Sequence, residues 1–227
     1  MTIHTEDLLN SILESFDRMK FVHAEDVPDI DLYMDQVTKF MGEHLKSSAR
    51  YPEQDKILTK TMINNYAKND LLPPPVRKKY SKEHMLLLIF IYYYKGVMSI
   101  GDIQTLLSPI TEKYFGGQSA YSLEDVYNEV FSFEETQVAR IKEDIRREYT
   151  ESAHAFNGAP EKDRDFLRLF SFICMLSFDV YVKRLLIEKL LDSMRESEEK
   201  SERETGEGGK ARRRRKKGAQ TPPEAHR

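Results

Sequence analysis

The chain has 227 residues and carries 35 Lys and Arg against 38 Asp and Glu, a net charge of −3 at pH 7. That length supports one or two domains with a real core, and a single cysteine, Cys174, excludes a disulfide framework within the chain and fits a reducing cytoplasm. The opening residues, MTIHTEDLLNSILESF, have neither the basic start nor the apolar core of a secretory signal, and the most apolar stretch, 166–182, is shorter than the roughly 20 residues of a membrane helix and includes Arg168 and Asp179, so the expectation is a cytoplasmic protein with no membrane span.

In chain order, Leu8, Leu9, Ile12, Leu13 and Phe16 recur at helical spacing and predict a first helix over 5–19. Pro28 interrupts the chain. A second helix is expected over about 30–45, with Leu32, Tyr33, Gln36, Val37, Phe40 and Met41 on adjoining turns and Asp29 or Asp31 placed to cap its free amides. SSARYPEQDK then reads as a loop. Thr59 is the expected N-cap of a third helix running to about Asn69, in which Met62, Ile63 and Tyr66 form the apolar side and Lys60, Thr61, Asn64, Asn65 and Lys68 stand opposite. Asn69 and Asp70 suit a left-handed exit because their short polar side chains tolerate positive φ, and Pro73-Pro74-Pro75 bars any return to helix. A short extended arm, 76–80, follows. Ser81 begins a helix containing MLLLIFIYYY, which is apolar on every side and therefore packed nearly all round. Ser99 and Asp102 have capping-box spacing and start a short helix that Pro109 is expected to close.

Beyond Tyr121 the pattern lengthens. Val126, Val130, Phe133, Val138, Ile141 and Ile145 describe an amphipathic helix or helix pair, and the loop FNGAPEKD separates it from a final helix over 164–194. That helix is too apolar to stand alone, so it packs on its predecessor or on a second copy of the chain as a homodimer. Cys174 within it reads as a small buried hydrophobe. From Arg195 onward, eleven Lys or Arg and seven acids with almost nothing apolar predict a disordered, cationic tail.

Residues 56–84 hold seven Lys or Arg against two acids, a local charge of about +5 on an otherwise acidic protein. Association follows local potential rather than net charge, so the segment points to a polyanionic partner, double-stranded DNA above all. Asn pairs bidentately with adenine and Lys with guanine in the major groove, which makes Asn64 and Asn65 the base-reading candidates and Thr61 a contact to phosphate or methyl. Lys60, Lys68, Arg77, Lys78 and Lys79 would clamp phosphates, with Tyr80 packing the arm or reaching a phosphate through its hydroxyl. An enzyme is not expected: the six histidines form no HExxH or HxH, no GxxxxGKS/T or GxGxxG occurs, and no cofactor is implied.

The runs LYMDQV (32–37), LTKTMINNYAKNDLLPPP (58–75), KKY (78–80) and SIGDIQTLL (99–107) resemble a bacterial family of unknown function whose helix-turn-helix is related to the MerR type. The resemblance covers roughly 25–110 and implies an aromatic-rich recognition helix, a Leu-Leu-Pro exit, a basic wing ending in tyrosine and a following helix. Asn64 stands where MerR relatives carry Arg and Asp70 where they carry Gly, so a DNA sequence preference is not implied. MerR relatives place an effector domain after a dimerising helix, and 121–194 could play either part. It lacks the cysteine clusters of metal sensors, so a small-molecule effector, if present, would be organic and apolar.

The expected fold is thus all-α: an N-terminal helix (1–24), a MerR-like winged helix-turn-helix (25–118), a helical C-terminal half (119–194) and a charged tail (195–227). The expected function is DNA binding in transcription regulation. The competing reading is a protein-interaction adaptor on the same scaffold, and a third has Arg212–Lys217 attach to anionic membranes.

Overall fold

The computed structural model describes residues 5–16, 21–51, 54–117 and 119–218, the side chains of Thr5, Glu135 and 201–218 excepted. The chain is mostly helical: α1 (Thr5–Phe16), α2 (Met34–Leu45), α3 (Lys60–Lys68), α4 (Lys82–Tyr94), α5 (Ile100–Tyr114), α6 (Leu123–Phe131), α7 (Glu134–Ala153) and α8 (Glu161–Gly218), with two short strands, β1 (Leu32–Tyr33) and β2 (Lys79–Tyr80). It divides into two compact units, 1–185 and 186–227, the boundary falling within α8.

α4 is the axis of the first unit. Eight consecutive residues, His84 to Ile91, are buried, which is what a helix apolar on every side demands, each large aliphatic side chain contributing about 1.5–3 kcal/mol. Val37, Met41 and Leu45 of α2, Ile63 and Tyr66 of α3, Ile103 and Leu107 of α5, and Leu123 and Tyr127 of α6 complete one continuous core. This core therefore extends past residue 118 into α6. Lys82 reinforces the arrangement, its Nζ donating to Asp29 Oδ1 at 2.8 Å and to Glu124 Oε1 at 2.9 Å. A second, smaller cluster joins α1, α7 and the start of α8 through Leu9, Leu13 and Phe172, with Tyr149 edge-on to Phe172 at 5.4 Å.

Several expectations need correction. Leu32 and Tyr33 are not the first turn of α2 but a strand paired antiparallel with β2, Leu32 opposite Tyr80 and Tyr33 opposite Lys79. The helix starts only at Met34, and Gln36 rather than Asp29 or Asp31 caps it, accepting from the Tyr33 amide at 2.9 Å. Pro109 does not close α5, which continues to Tyr114. Proline costs about 3 kcal/mol inside a helix, and here Ile110, Tyr114 and Phe115 pack against the core and hold the segment in place. In the α6–α7 pair, Val130, Phe133 and Ile141 are exposed, while Leu123 and Tyr127 bear the burial. Cys174 is exposed, not buried. α8 continues through 195–218, where Glu, Lys and Arg are good helix formers; the last part of the expected disordered tail, 219–227, lies outside the described residues, as do 17–19 at the end of the first expected helix. Among the described residues no helix is long and apolar enough to cross a membrane.

Candidate nucleic-acid interface

The local chemistry of α3 follows its sequence closely. Thr59 is extended, and its Oγ1 accepts from the Met62 amide at 3.2 Å, satisfying one of the orphan donors of the first turn. Ile63 and Tyr66 face the core. Lys60, Thr61, Asn64, Asn65 and Lys68 are all exposed, and no acid occurs anywhere in the helix. The helix ends at Asn69, then Asp70 turns left-handed at φ 55, and the Leu71 amide returns to the Tyr66 carbonyl at 2.9 Å, the bond that closes a Schellman-type end. Leu71 and Leu72 then plug into the core, anchoring the exit.

The arm that follows is a two-residue hairpin. Val76 and Lys79 exchange both backbone hydrogen bonds, at 3.1 and 3.0 Å, around Arg77 at φ 51 and Lys78 at φ 65. Left-handed backbone at both central positions is a type I′ turn, normally the place of Asn-Gly. Arg and Lys there cost about 1–2 kcal/mol each, a strain that folded proteins keep mainly at functional positions. Pairing of β2 with β1 ties this hairpin to the start of α2. Lys60 of α3 forms an ion pair with Asp35, also in the first turn of α2, so the start of α3 and the basic hairpin meet α2 at the same end.

The cations are not equivalent. Lys82 is held by two acids, Lys60 by Asp35, and Lys79 lies 5.2 Å over the Tyr33 ring. Among the described residues no acid pairs with Lys68, Arg77 or Lys78, all exposed. Of the two roles expected of Tyr80, packing the arm is the one it takes. It is buried, edge-on to His84 at 5.5 Å, and anchors the hairpin instead of reaching a phosphate.

His84 sits beneath this anchor. Its Nδ1 accepts from the Ser81 amide at 3.0 Å and pairs with Ser81 Oγ at 2.8 Å, which leaves the proton on Nε2. Nε2 is buried without a partner of good hydrogen-bond geometry. Burial lowers the pKa of this imidazole, and the nearby carbonyls of Pro74 and Pro73 and the charge of Asp31 offset only part of that effect.

The sequence reading missed two residues of this neighbourhood. Tyr33, taken as an apolar helix position, is an exposed aromatic beneath Lys79. Asp35 restrains Lys60 across two helices, and no local sequence signal announces such a pair. Among the described residues no group of three or more His, Cys, Asp or Glu could hold a metal.

No curated protein matches the chain. No solved structure matches it either. Residues 22–130, which hold every residue of this surface, match a family described as a domain of unknown function, DUF1836.

Proposed function

We propose that the chain binds duplex DNA as a transcription regulator, with α3 and the hairpin acting as the recognition helix and wing of a MerR-like winged helix-turn-helix. The observation that carries the reading is the acid-free exposed side of α3 beside a hairpin that holds Arg77 and Lys78 in strained backbone. A nine-residue helix is about 13 Å long, comparable to the width of the major groove. Asn64 and Asn65 present amides for base edges, and Lys68, Arg77 and Lys78 supply phosphate contacts that fix register.

With three to four phosphates neutralised per chain, the log affinity falls by about 0.9 per contact per decade of salt, a loss of roughly 40- to 150-fold between about 50 and 200 mM. Fluorescence anisotropy of the full-length protein on a labelled duplex measures that slope. The adaptor reading draws support from Asp35 and Tyr33, which already engage Lys60 and Lys79. It is the better account if duplex binding is absent, or if it persists with a slope that Lys68→Ala and Arg77→Ala leave unchanged.

A further inference from the structure

One lysine away from the basic surface holds a position that charge pairing does not explain. Lys95 follows α4, and its Nζ donates to the Ile57 carbonyl at 2.8 Å while lying 4.7 Å over the Tyr92 ring. It is half-buried, and among the described residues no acid pairs with it, whereas lysine is almost never withdrawn from water without an opposite charge. Both groups that it touches belong to joints of the fold. Ile57 and Leu58 are buried immediately before Thr59, the N-cap of α3. Tyr92 Oη donates to the Leu45 carbonyl at the end of α2 at 3.3 Å and meets Ser48 Oγ at 3.2 Å. Lys95 therefore ties the end of α4 to the segment that seats α3, against a ring pinned to the end of α2.

We infer that Lys95 is a site of regulatory N-acylation, at which an acyl phosphate modifies the amine and loosens the seat of α3. The lone pair of the neutral amine attacks the acyl carbonyl and an N–C bond forms. The C–O bond to phosphate breaks, its electron pair leaves with inorganic phosphate, and the amine proton passes to that phosphate or to water. Three observations select this lysine. First, half-burial without an acid favours the neutral, nucleophilic amine, and burial lowers the pKa of Lys95. Lys82 is the contrast: burial acts against its charge too, but hydrogen bonds to Asp29 and Glu124 outweigh that and raise its pKa. Second, a small anionic donor has access, since the turn that follows, Gly96 and Val97, is exposed, and exposed Lys56 beside Ile57 in the chain adds positive potential. Third, the consequence reaches α3. Acylation removes the charge, weakens the charge-assisted bond to Ile57, abolishes the cation over Tyr92 and adds bulk to a half-buried position.

The modification and its effect on α3 are tested without DNA; only the effect on duplex binding rests on the function proposed above. Full-length protein is incubated with acetyl phosphate near neutral pH, and acetylation of each lysine is followed by mass spectrometry. Lys95 is acetylated several-fold faster than exposed Lys162 and faster still than Lys82, a ratio read on the native protein without any variant. Lys95→Gln, which removes the charge, speeds hydrogen exchange of the first-turn amides of α3 several-fold, whereas Lys95→Arg, which keeps charge and donor, holds them at the wild-type rate. After equal acetyl phosphate treatment, duplex affinity falls further in wild type than in Lys95→Arg, and the difference separates Lys95 from the lysines that touch DNA. Acetylation of Lys95 no faster than of Lys162 overturns the inference. So does Lys95→Gln with wild-type exchange in α3. A protein that shows the acetylation ratio and the faster exchange but binds no duplex supports the switch and overturns the DNA reading alone.

Discussion

The hairpin tip allows stability and binding to be moved in opposite directions. Replacing Arg77 with Asn and Lys78 with Gly installs the pair that a type I′ turn prefers while leaving the reciprocal Val76–Lys79 hydrogen bonds in place. The native residues pay about 1–2 kcal/mol each for left-handed backbone. Glycine returns about 0.4–1 kcal/mol of that gain through its freer unfolded chain, and Asn retains a part of the penalty, so the double variant is expected to be more stable by about 1–2 kcal/mol. For a cooperative unit of this size that raises Tm by about 3–6 °C in a thermal melt. The same change removes two phosphate contacts, so the salt slope of duplex binding falls by about 1.8 and affinity at low salt drops. A lower Tm would refute the strain assignment. An unchanged slope would remove the hairpin from the interface.

Further expectations follow from single contacts. Thr59→Ala deletes the cap of α3 and destabilises the protein by about 0.5–2 kcal/mol in denaturant titrations, with weaker duplex binding as the first turn frays. Asp35→Asn releases Lys60 to a phosphate, so duplex binding tightens and its salt slope steepens by about 0.9. His84 is held neutral with its pKa below the unfolded value of about 6.5, so the unfolded state takes up the proton first; its contribution to stability is complete above about pH 6.5 and declines as pH falls. His84→Gln keeps an acceptor for the Ser81 amide and removes the titration, so its unfolding free energy changes less than that of wild type between about pH 7 and 5. Equal pH dependence in the two proteins would contradict the assignment.

The elements that sequence made legible are those fixed by local chemistry. Thr59, the Ser99–Asp102 box, the Asp70 exit and the all-round apolar α4 each act within a few residues, and each stands where its pattern placed it. What escaped depends on distant partners. Leu32 and Tyr33 become a strand only because β2, about 47 residues later, offers its backbone. Pro109 stays within α5 because packing on the core outweighs its propensity, and a helix alone carries no record of that. Cys174 belongs to a run that is apolar all round, and periodicity cannot say which side of such a helix neighbours will cover. The basic surface was legible as a charge count but not as a set of available charges, since Asp29, Glu124, Asp35 and Tyr33 had to be found in space.

The most direct test of the central claim is a selection of duplexes from a random pool by the full-length protein, run beside Asn64→Ala and Asn65→Ala. Base reading by α3 predicts enrichment of a defined sequence by the wild-type protein and relaxed preference at adenine positions in the variants, about 1–3 kcal/mol of discrimination per bidentate contact. Recovery of the same sequence by all three proteins, or of none by any, would contradict it.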